Sequence, residues 1–471
     1  MALIGIDIGT TFIKGAVLDP DSLALEHTRR IPFPEALPGL PPLYREYDPQ
    51  VILAAVRRLL DELLPLAGAC EGLVMSSLMH CLVLTTPDGQ PRSNVTTWQD
   101  QRVMMAHPSG AGTYFDVLAG RISPEDRRRL GNELRAGQPL GLLFWLAEQG
   151  QLPAQDLTLA SLPDFIIANL CGVPAVTEST HAMSHGVLNL ETMDWHHGLL
   201  ADLGLDGLGW PEIRPHGAVA GRFSYQGRPI PCFTPVGDYQ CSLAGALLDY
   251  GELSLNISTG SQVSLLRPQA EFGNFQTRPF FDGRFLINIT HIPAGRSLNL
   301  LLRLLSELAD AHHVELPDPW PYITQAAAAV ENKELRVDLA FFNSSCGDHG
   351  SITAVREEEL TAGHLFRAAF ENMTANYYAS ALRLSPAQEW RNLVFSGGLA
   401  QKIPVLRELI CAKFQAEYRL CPTQEDSLLG LLALGMVFSG RQPTLEAASR
   451  VLRAHFAQGF AQGFAQGFAQ G

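Results

Sequence analysis

The sequence predicts an α/β protein of two domains that face each other across a cleft. Its 471 residues exceed what one hydrophobic core usually supports, so two domains of about 200 residues or more are expected. A strand, a polar turn and a second strand occupy 3–19, and the same pattern returns at 253–266. Strand and helix patterns alternate through the second half, as in an α/β domain. The recurrence indicates a duplicated domain whose two turns face one another.

The first hairpin, "LIGIDIGTTFIKGAVLD", has a turn suited to holding phosphate. It matches neither G-x-x-x-x-G-K-[ST] nor G-x-G-x-x-G leading into a helix. Successive backbone N–H groups in such a turn form an anion-binding concavity; Gly9 allows close approach, and the hydroxyls of Thr10 and Thr11 add donors. Asp7 beside the turn is suited to a hydrated Mg²⁺, and Lys14 supplies positive charge. An ordinary β-hairpin is the alternative.

The second hairpin, "LSLNISTGSQVSLL", strengthens the phosphate interpretation. When it is laid on the first hairpin, Asn256 falls at the position of Asp7. The turn of Ser258, Thr259 and Gly260 then falls on the first turn. Two matching turns predict two phosphate-holding hairpins on opposite sides of one cleft.

The other elements follow from local signals. Asp48-Pro49 starts a helix over 51–66, with capping and first-turn proline chemistry. Further predicted elements are the strands "GLVMSS" and "CLVLTT", helices over 124–170, the strand in "RPIPCFTPVGDYQ", the strand "NLVFSGG", a helix from Pro404, the strand "EYRLC" and a helix after Asp426. The predicted domains are 1–245 and 246–450. Four Phe-Ala-Gln-Gly repeats fill 456–471, too Gly-rich for a stable helix, and predict a disordered tail, with weak self-association as the alternative.

Composition limits the partners and the compartment. The formal net charge of −14 argues against nucleic acid and anionic membranes, which need a basic surface. The eight cysteines are scattered without metal-ligand spacing, and free thiols in a reducing cytosol explain them. The longest late apolar run, 428–438, is too short to span a bilayer. We therefore expect a cytoplasmic protein with neither a nucleic-acid nor a membrane partner.

The motif order gives a resemblance over 3–438. "GIDIGTTFIKG", "EYDP", "LMH", "TTWQDQR", "GDYQCSLAGA", "NISTG" and "FSGGLAQKIP" together resemble the FGGY carbohydrate kinases of the actin/sugar-kinase/Hsp70 ATPase superfamily. The resemblance implies two actin-like (ribonuclease H-like) domains with a nucleotide and sugar cleft between them. It also implies ATP and Mg²⁺ as cofactors, a small-molecule ketose as substrate, and a monomer or homodimer.

The resemblance implies roles for single residues. Asp238 matches the catalytic base, which takes the proton of the attacking sugar hydroxyl; a carboxylate that caps the following helix is the alternative and is compatible with that role. Met79 and His80 match the family's sugar-contacting pair, although an isolated histidine is more commonly a core residue.

Two further motifs complete the implied site. Trp98, Asp100 and Arg102 in "WQDQR" offer an apolar ring and polar groups for a sugar, with a surface Asp–Arg salt bridge as the alternative. "SGGLAQ" resembles the adenosine motif, which is here carried by Gly397 and Gly398 with Gln401 as a polar contact; a simple Gly-Gly turn is the alternative.

The resemblance also suggests a substrate. "TTWQDQR" and "CGVPAVTESTHAMSHGVLNLETMDW" look most like the members that phosphorylate sedoheptulose to sedoheptulose 7-phosphate, with xylulokinase-type and other FGGY sugar kinases next. A non-enzymatic or chaperone-like ATPase of the same superfamily is the alternative of another class, because one fold hosts many functions.

Overall fold

Two central β-sheets organise the chain in the computed structural model, which describes the backbone of residues 1–467 and the side chains of residues 1–457. The first sheet contains β1 (Ala2–Ile8), β2 (Phe12–Asp19), β3 (Ala24–Pro32), β4 (Cys70–Ser77), β5 (Val219–Tyr225), β6 (Arg228–Phe233) and β7 (Val236–Gly237). The second contains β8 (Glu252–Ile257), β9 (Gly260–Arg267), β10 (Gln276–Pro279), β11 (Phe285–Pro293), β12 (Asn392–Ser396) and β13 (Glu417–Leu420).

The two sheets share a strand pattern. The first has the order β5-β6-β4-β1-β2-β3, with β7 also pairing β4, and the second has the order β10-β11-β9-β8-β12-β13. In each, an antiparallel hairpin (β1–β2 or β8–β9) is flanked by an antiparallel strand on one side and a parallel strand on the other. The predicted two-sheet α/β fold is confirmed, and the two hairpins occupy equivalent positions.

Helices and short strand pairs surround the sheets. The helices are α1 (Pro49–Leu63), α2 (Tyr114–Arg121), α3 (Pro124–Arg129), α4 (Pro139–Glu148), α5 (Leu162–Cys171), α6 (Ser179–Ala182), α7 (His197–Asp202), α8 (Asp238–Gly245), α9 (Gly295–Ala311), α10 (Trp320–Ala328), α11 (Ala362–Leu384), α12 (Gly398–Lys402), α13 (Pro404–Phe414), α14 (Asp426–Phe438) and α15 (Leu445–Gly467). Short 3₁₀ helices lie at Leu64–Leu66, Arg102–Met104, Met183–His185 and Glu357–Glu359. The two-stranded pairs are Glu46–Tyr47 with Val95–Thr96, Val83–Thr85 with Thr158–Ala160, Val176–Thr177 with Glu212–Ile213, Leu188–Asn189 with Asp194–Trp195, and Arg336–Asp338 with Ser351–Thr353.

Helix α1 begins as the sequence predicts. Asp48 is its N-cap, and its Oδ1 accepts a hydrogen bond from the backbone N–H of Gln50 at 2.8 Å. Pro49 follows at the first helical position, where no N–H is needed. The apolar face of the helix is buried in the core of the first domain, beside β2 and β3. Burial of that face provides most of the stability that a helix of this length lacks alone.

Helices α8 and α14 cross at very short range between the two sheets. A Cβ placed on Gly245 would lie 1.8 Å from the carbonyl oxygen of Asp426, and one on Gly430 would lie 2.0 Å from that of Cys241. Glycine at these two positions therefore allows the backbones to touch. Helix α14 also packs against β1, β2 and β4 of the first sheet. Helix α14, which the sequence assigns to the second domain (246–450), thus packs against strands of the first sheet.

The C-terminal region starts as an ordinary packed helix. Leu445, Ala448 and Leu452 of α15 are buried in the core that also contains α8 and α14. Helix α15 extends to Gly467 and so covers most of the Phe-Ala-Gln-Gly repeats, for which the sequence predicts disorder; 468–471 lie outside the described residues. The tail's role stays a prediction. Among the described helices, none combines the length and the apolar character needed to span a membrane.

Candidate active site

The first hairpin turn lies open at the edge of the first sheet. The backbone N–H of Gly9 donates to the carbonyl of Phe12 at 3.0 Å and closes the turn, while Thr10 and Thr11 are exposed. Asp7 lies near the end of β1 and is buried, and its Oδ1 accepts a hydrogen bond from Ser76 Oγ at 2.8 Å. Burial raises the pKa of the Asp7 carboxyl. The turn thus has free donors beside a constrained carboxylate.

Lys14 is engaged within the protein. It pairs with Asp7 across the β1–β2 hairpin, and its Nζ lies 2.6 Å from Oε2 of Glu425, just before α14. The exposed Arg30 is a second cation near that carboxylate, at 3.6 Å. Lys14 is therefore placed beside the turn as predicted, but Glu425 already balances its charge.

The second hairpin turn lies against the start of α9. The N–H groups of Gly295 and Arg296 donate to the carbonyls of Ser258 and Thr259 at 3.0 and 2.8 Å. Thr259 and Gly260 are exposed, so this turn is open like the first. The two turns therefore share an open edge-of-sheet geometry as well as a sequence pattern.

The predicted adenosine motif adjoins this second turn. Gly397 has φ of 84°, and a Cβ there would lie 2.4 Å from the carbonyl oxygen of Ile257, so only glycine fits. Gly398 opens α12 with free space around its Cα, and Gln401 is half-buried on the same helix. The close approach of the Ile257 backbone thus requires glycine at position 397. An ordinary Gly-Gly turn does not impose this requirement.

Asp238 stands at the start of α8, directly after β7. Gly237 is the helix N-cap, so the capping alternative for Asp238 is wrong: Asp238 is the first helical residue, and its Oδ1 accepts from the adjacent N–H of Tyr239 at 2.7 Å. The N–H of Gly237 donates to Thr180 Oγ1 at 2.7 Å and holds this turn in place. Asp238 is therefore held in the first turn of α8, beside the turn that Thr180 fixes.

Three carboxylates repel one another where the domains meet. Burial and the negative charge of Asp7 raise the pKa of Asp238 to about 7. Burial and the charge of Asp7 raise the pKa of Asp426, at the start of α14, to about 6. This concentration of negative charge suits a cation that takes one or two carboxylates together with water and phosphate oxygens. No group of three or more His, Cys, Asp or Glu side chains forms a ready-made metal cage within the described residues.

The Met79–His80 pair lies beside the turn that carries Asp238. A Cβ on Gly237 would lie 3.3 Å from the sulfur of Met79. His80 has φ of 62°, and its Nδ1 lies 2.8 Å from the carbonyl oxygen of Ser184. Burial lowers the pKa of His80 to about 4, so the ring is neutral at pH 7. The predicted sugar-contacting pair and the predicted base therefore share one wall.

Asp100 and Arg102 form a buried ion pair, which corrects the surface salt bridge considered from the sequence. Arg102 Nε and Nη2 donate to Asp100 at 2.8 and 2.6 Å, and the N–H of Arg45 donates to Asp100 at 2.8 Å. Glu46 accepts from Arg102 as well, and the guanidinium lies 3.9 Å from the ring centre of Tyr44. Both side chains therefore hold the wall together, and little of their bonding capacity is free for a sugar.

A small cavity joins this wall to His80. It is lined by His80, Thr97, Asp100, Arg102 and Gln138, among others. The indole of Trp98 is 45 % exposed, which leaves an apolar surface of the kind predicted for a sugar. The structure thus brings Met79, His80, Asp100 and Arg102 into one region, with Trp98 on the adjoining segment.

A charged cluster across the two domains is absent from the sequence prediction. Glu133, whose side chain is fully buried, binds Arg278 of β10 through Nε at 2.8 Å and Arg135 through Nε at 3.0 Å. Arg135 then reaches Thr290 and His291 of β11. The residues of this charged cluster lie up to about 160 residues apart in the chain and form no motif. No local signal in the sequence could therefore have identified the cluster.

Known proteins resemble this chain in sequence and in fold. The model of the FGGY family of carbohydrate kinases, N-terminal domain, matches residues 2–229. Human sedoheptulokinase is 26% identical over 462 residues, covering 87% of this chain and 92% of that protein. Gluconokinase of Bacillus subtilis is 22% identical, covering 96% of this chain and 90% of that protein.

Solved structures extend the likeness to the whole fold. The xylulose kinase of Lactobacillus acidophilus superposes with a TM-score of 0.80 at 20% identity, covering 95% of this chain and 91% of that one. The family match over the first domain, the relatives aligned over nearly the full length and the shared two-domain fold lead to one conclusion. Over residues 2–229 the chain matches the FGGY family of carbohydrate kinases, and over nearly its full length it is similar to carbohydrate kinases.

Proposed function

We propose that this kinase transfers the γ-phosphoryl group of ATP to the terminal hydroxyl of sedoheptulose and forms sedoheptulose 7-phosphate. The observation that supports the proposal is the position of Asp238, which follows Gly237 beside Met79 and lies close enough to Asp7 of the first hairpin to be affected by its charge. The likeness to sedoheptulokinase over most of both chains supports the choice of sugar. A xylulokinase-type or another FGGY activity is the closest alternative, since those kinases share the fold.

The proposed chemistry assigns each group a task. Asp238, as its carboxylate, accepts the proton of the attacking hydroxyl. The two hairpin turns hold the phosphates through backbone N–H groups, and Gly397 and Gly398 leave room for the adenosine. Mg²⁺, with Asp7 and waters as ligands, would neutralise phosphate charge when bound. Positioning and charge neutralisation account for most of what phosphoryl transfer asks of a protein.

The remaining proposals concern the surroundings of the enzyme. The negative net charge favours a small-molecule substrate over a nucleic-acid partner. We propose a monomer or homodimer that works in the cytoplasm, where ATP is available. Eight free cysteines are compatible with a reducing compartment.

Kinetic comparison of several sugars tests the proposed substrate. A seven-carbon ketose offers more hydroxyls than a pentulose, and each buried polar group left unpaired by a shorter sugar costs about 1–3 kcal/mol. We expect kcat/KM for sedoheptulose to exceed that for D-xylulose by at least roughly tenfold. Steady-state kinetics with both sugars, and with glycerol and L-ribulose as controls, measures this ratio. A comparable advantage for D-xylulose or another sugar would refute the sedoheptulose assignment and leave the kinase family unchanged.

A further inference from the structure

The side chain of Arg135 crosses from the first domain to the second. Its Nη2 donates to Thr290 Oγ1 at 2.6 Å, and its Nη1 lies 2.6 Å from Nδ1 of His291. Its Nε donates to Glu133 at 3.0 Å. His291 has φ of 60°, an unusual backbone conformation for a non-glycine residue, at a bulge where β11 pairs with β9 of the second hairpin. The guanidinium therefore lies within the cleft, between the two domains.

The cluster around Arg135 contains one more positive than negative charge. Glu133 is the only carboxylate bound by both Arg135 and Arg278 among the described contacts, and Arg278 binds it through two nitrogens. The terminal NH₂ groups of Arg135 contact only a hydroxyl and a histidine ring. Burial and the nearby arginines lower the pKa of His291 to about 4, so this ring is neutral at pH 7. The two guanidinium groups thus share one carboxylate, and neutral partners hold the terminal NH₂ groups of Arg135.

Other cations of the cleft region differ from Arg135 because carboxylates bind their terminal groups. Lys14 is neutralised by Glu425, and Arg102 is bound by Asp100 and Glu46. The side chain of Arg135 is 23% exposed, against 6% for Arg278. Among these four cations, Arg135 is therefore the one that combines an exposed surface with neutral partners, which a ligand could replace.

Arg135 also lies at the sugar end of the cleft. Gly137 and Gln138, two and three residues further along, line the cavity that contains His80 and Asp100. The charges of Glu133 and Arg135 both act on the His80 ring, which places the cluster close to it. Arg135 thus approaches the wall that the proposed sugar would contact.

We propose that Arg135 is a substrate-binding residue whose two terminal NH₂ groups exchange Thr290 and His291 for two neighbouring oxygens of the sugar. A planar guanidinium with parallel N–H donors matches a pair of adjacent hydroxyl oxygens, and a hydrogen bond from a charged donor is about twice as strong as a neutral one. The ligand class is a sugar that presents a vicinal diol. This inference rests on the sugar site proposed above but not on the identity of the sugar.

The test compares Arg135→Ala and Arg135→Lys with the wild-type enzyme on the sugar that the wild type phosphorylates best. We expect Arg135→Ala to raise KM for the sugar at least roughly tenfold, which corresponds to about 1.4 kcal/mol of lost binding. We expect KM for ATP to change less than twofold. Added guanidinium ion should restore part of the lost activity of Arg135→Ala. The KM of Arg135→Lys for the sugar should lie between those of the wild type and Arg135→Ala, because lysine keeps the positive charge but lacks the paired N–H donors of the guanidinium.

The matched control is Asn132→Gly. Asn132 Nδ2 donates to the carbonyl of Gly273 at 2.8 Å, so it also joins the first domain to the second but carries no charge, and glycine tolerates its φ of 54°. The control should keep KM for the sugar near the wild-type value. Equal increases in KM for sugar and ATP, no recovery with guanidinium, or the same defect in Asn132→Gly would show that Arg135 only joins the domains. A wild-type preference for a sugar other than sedoheptulose refutes the substrate assignment and leaves this test intact.

Discussion

Replacement of Asp238 by Asn is expected to lower kcat by about 10²–10⁴-fold, because the amide cannot accept the proton of the attacking hydroxyl. Asn has nearly the same shape and can still accept from the N–H of Tyr239, so the fold and ATP binding should persist. Turnover of the purified variant, with ATP affinity as the control, measures the effect. A variant that keeps near-wild-type turnover would rule out Asp238 as the base.

The same residue predicts a pH dependence. Burial and the charge of Asp7 disfavour the ionised carboxylate and raise the pKa of Asp238 to about 7. The proton-accepting form is therefore lost as the pH falls through about 7. We expect kcat/KM for ATP, which reports the nucleotide-free enzyme, to fall below that pH. The residual kcat/KM of the Asp238→Asn variant should not show this fall at low pH. The same fall in the variant would show that another group titrates.

Replacement of Glu133 by Gln is expected to destabilise the protein by about 3–5 kcal/mol, because it leaves two guanidinium groups without their shared buried counter-charge. The Glu133 side chain is fully buried, and it joins Arg135 of the first domain to Arg278 of the second. The midpoint of thermal unfolding, compared with that of the wild type, should fall clearly.

Glu191→Gln is the matched control for this prediction. Glu191 pairs with Arg128 and Arg129, again two arginines on one carboxylate, but its side chain is 38% exposed. Exposed ion pairs contribute about 0–1 kcal/mol, so this variant should unfold close to the wild-type midpoint. Similar midpoints for Glu133→Gln and Glu191→Gln would show that burial adds nothing to the Glu133 cluster.

Local chemistry made much of the fold predictable. The β1–β2 and β8–β9 hairpins follow from two strand–turn–strand patterns, and α1 begins at Asp48-Pro49 because capping is decided by neighbouring residues. The packing of α14 against the first sheet could not be predicted in this way. It depends on the contact of Gly245 with the backbone of Asp426, about 180 residues later.

In the candidate site, too, some features follow from the local sequence and others depend on long-range contacts. Asp7, Asp238 and Gly397 each stand at the end of a strand, where the sequence pattern also predicts them. Asp100 and Arg102 look like free recognition groups in the sequence. Their bonds to the backbone of Arg45 and to Glu46 arise only when the segments pair. The Glu133 cluster likewise forms only when a loop of the first domain meets two strands of the second, so the spacing of these residues in the chain does not reveal it.

The most direct test of the account is whether ADP release depends on sugar. A coupled assay with ATP and Mg²⁺, run with and without sedoheptulose, separates phosphoryl transfer to a sugar from a conformational ATPase of the same superfamily. We expect negligible ADP without sugar and one phosphorylated sugar for each ADP when sugar is present. Equal ADP release in the two reactions, with no sugar phosphate detected by mass spectrometry, would contradict it.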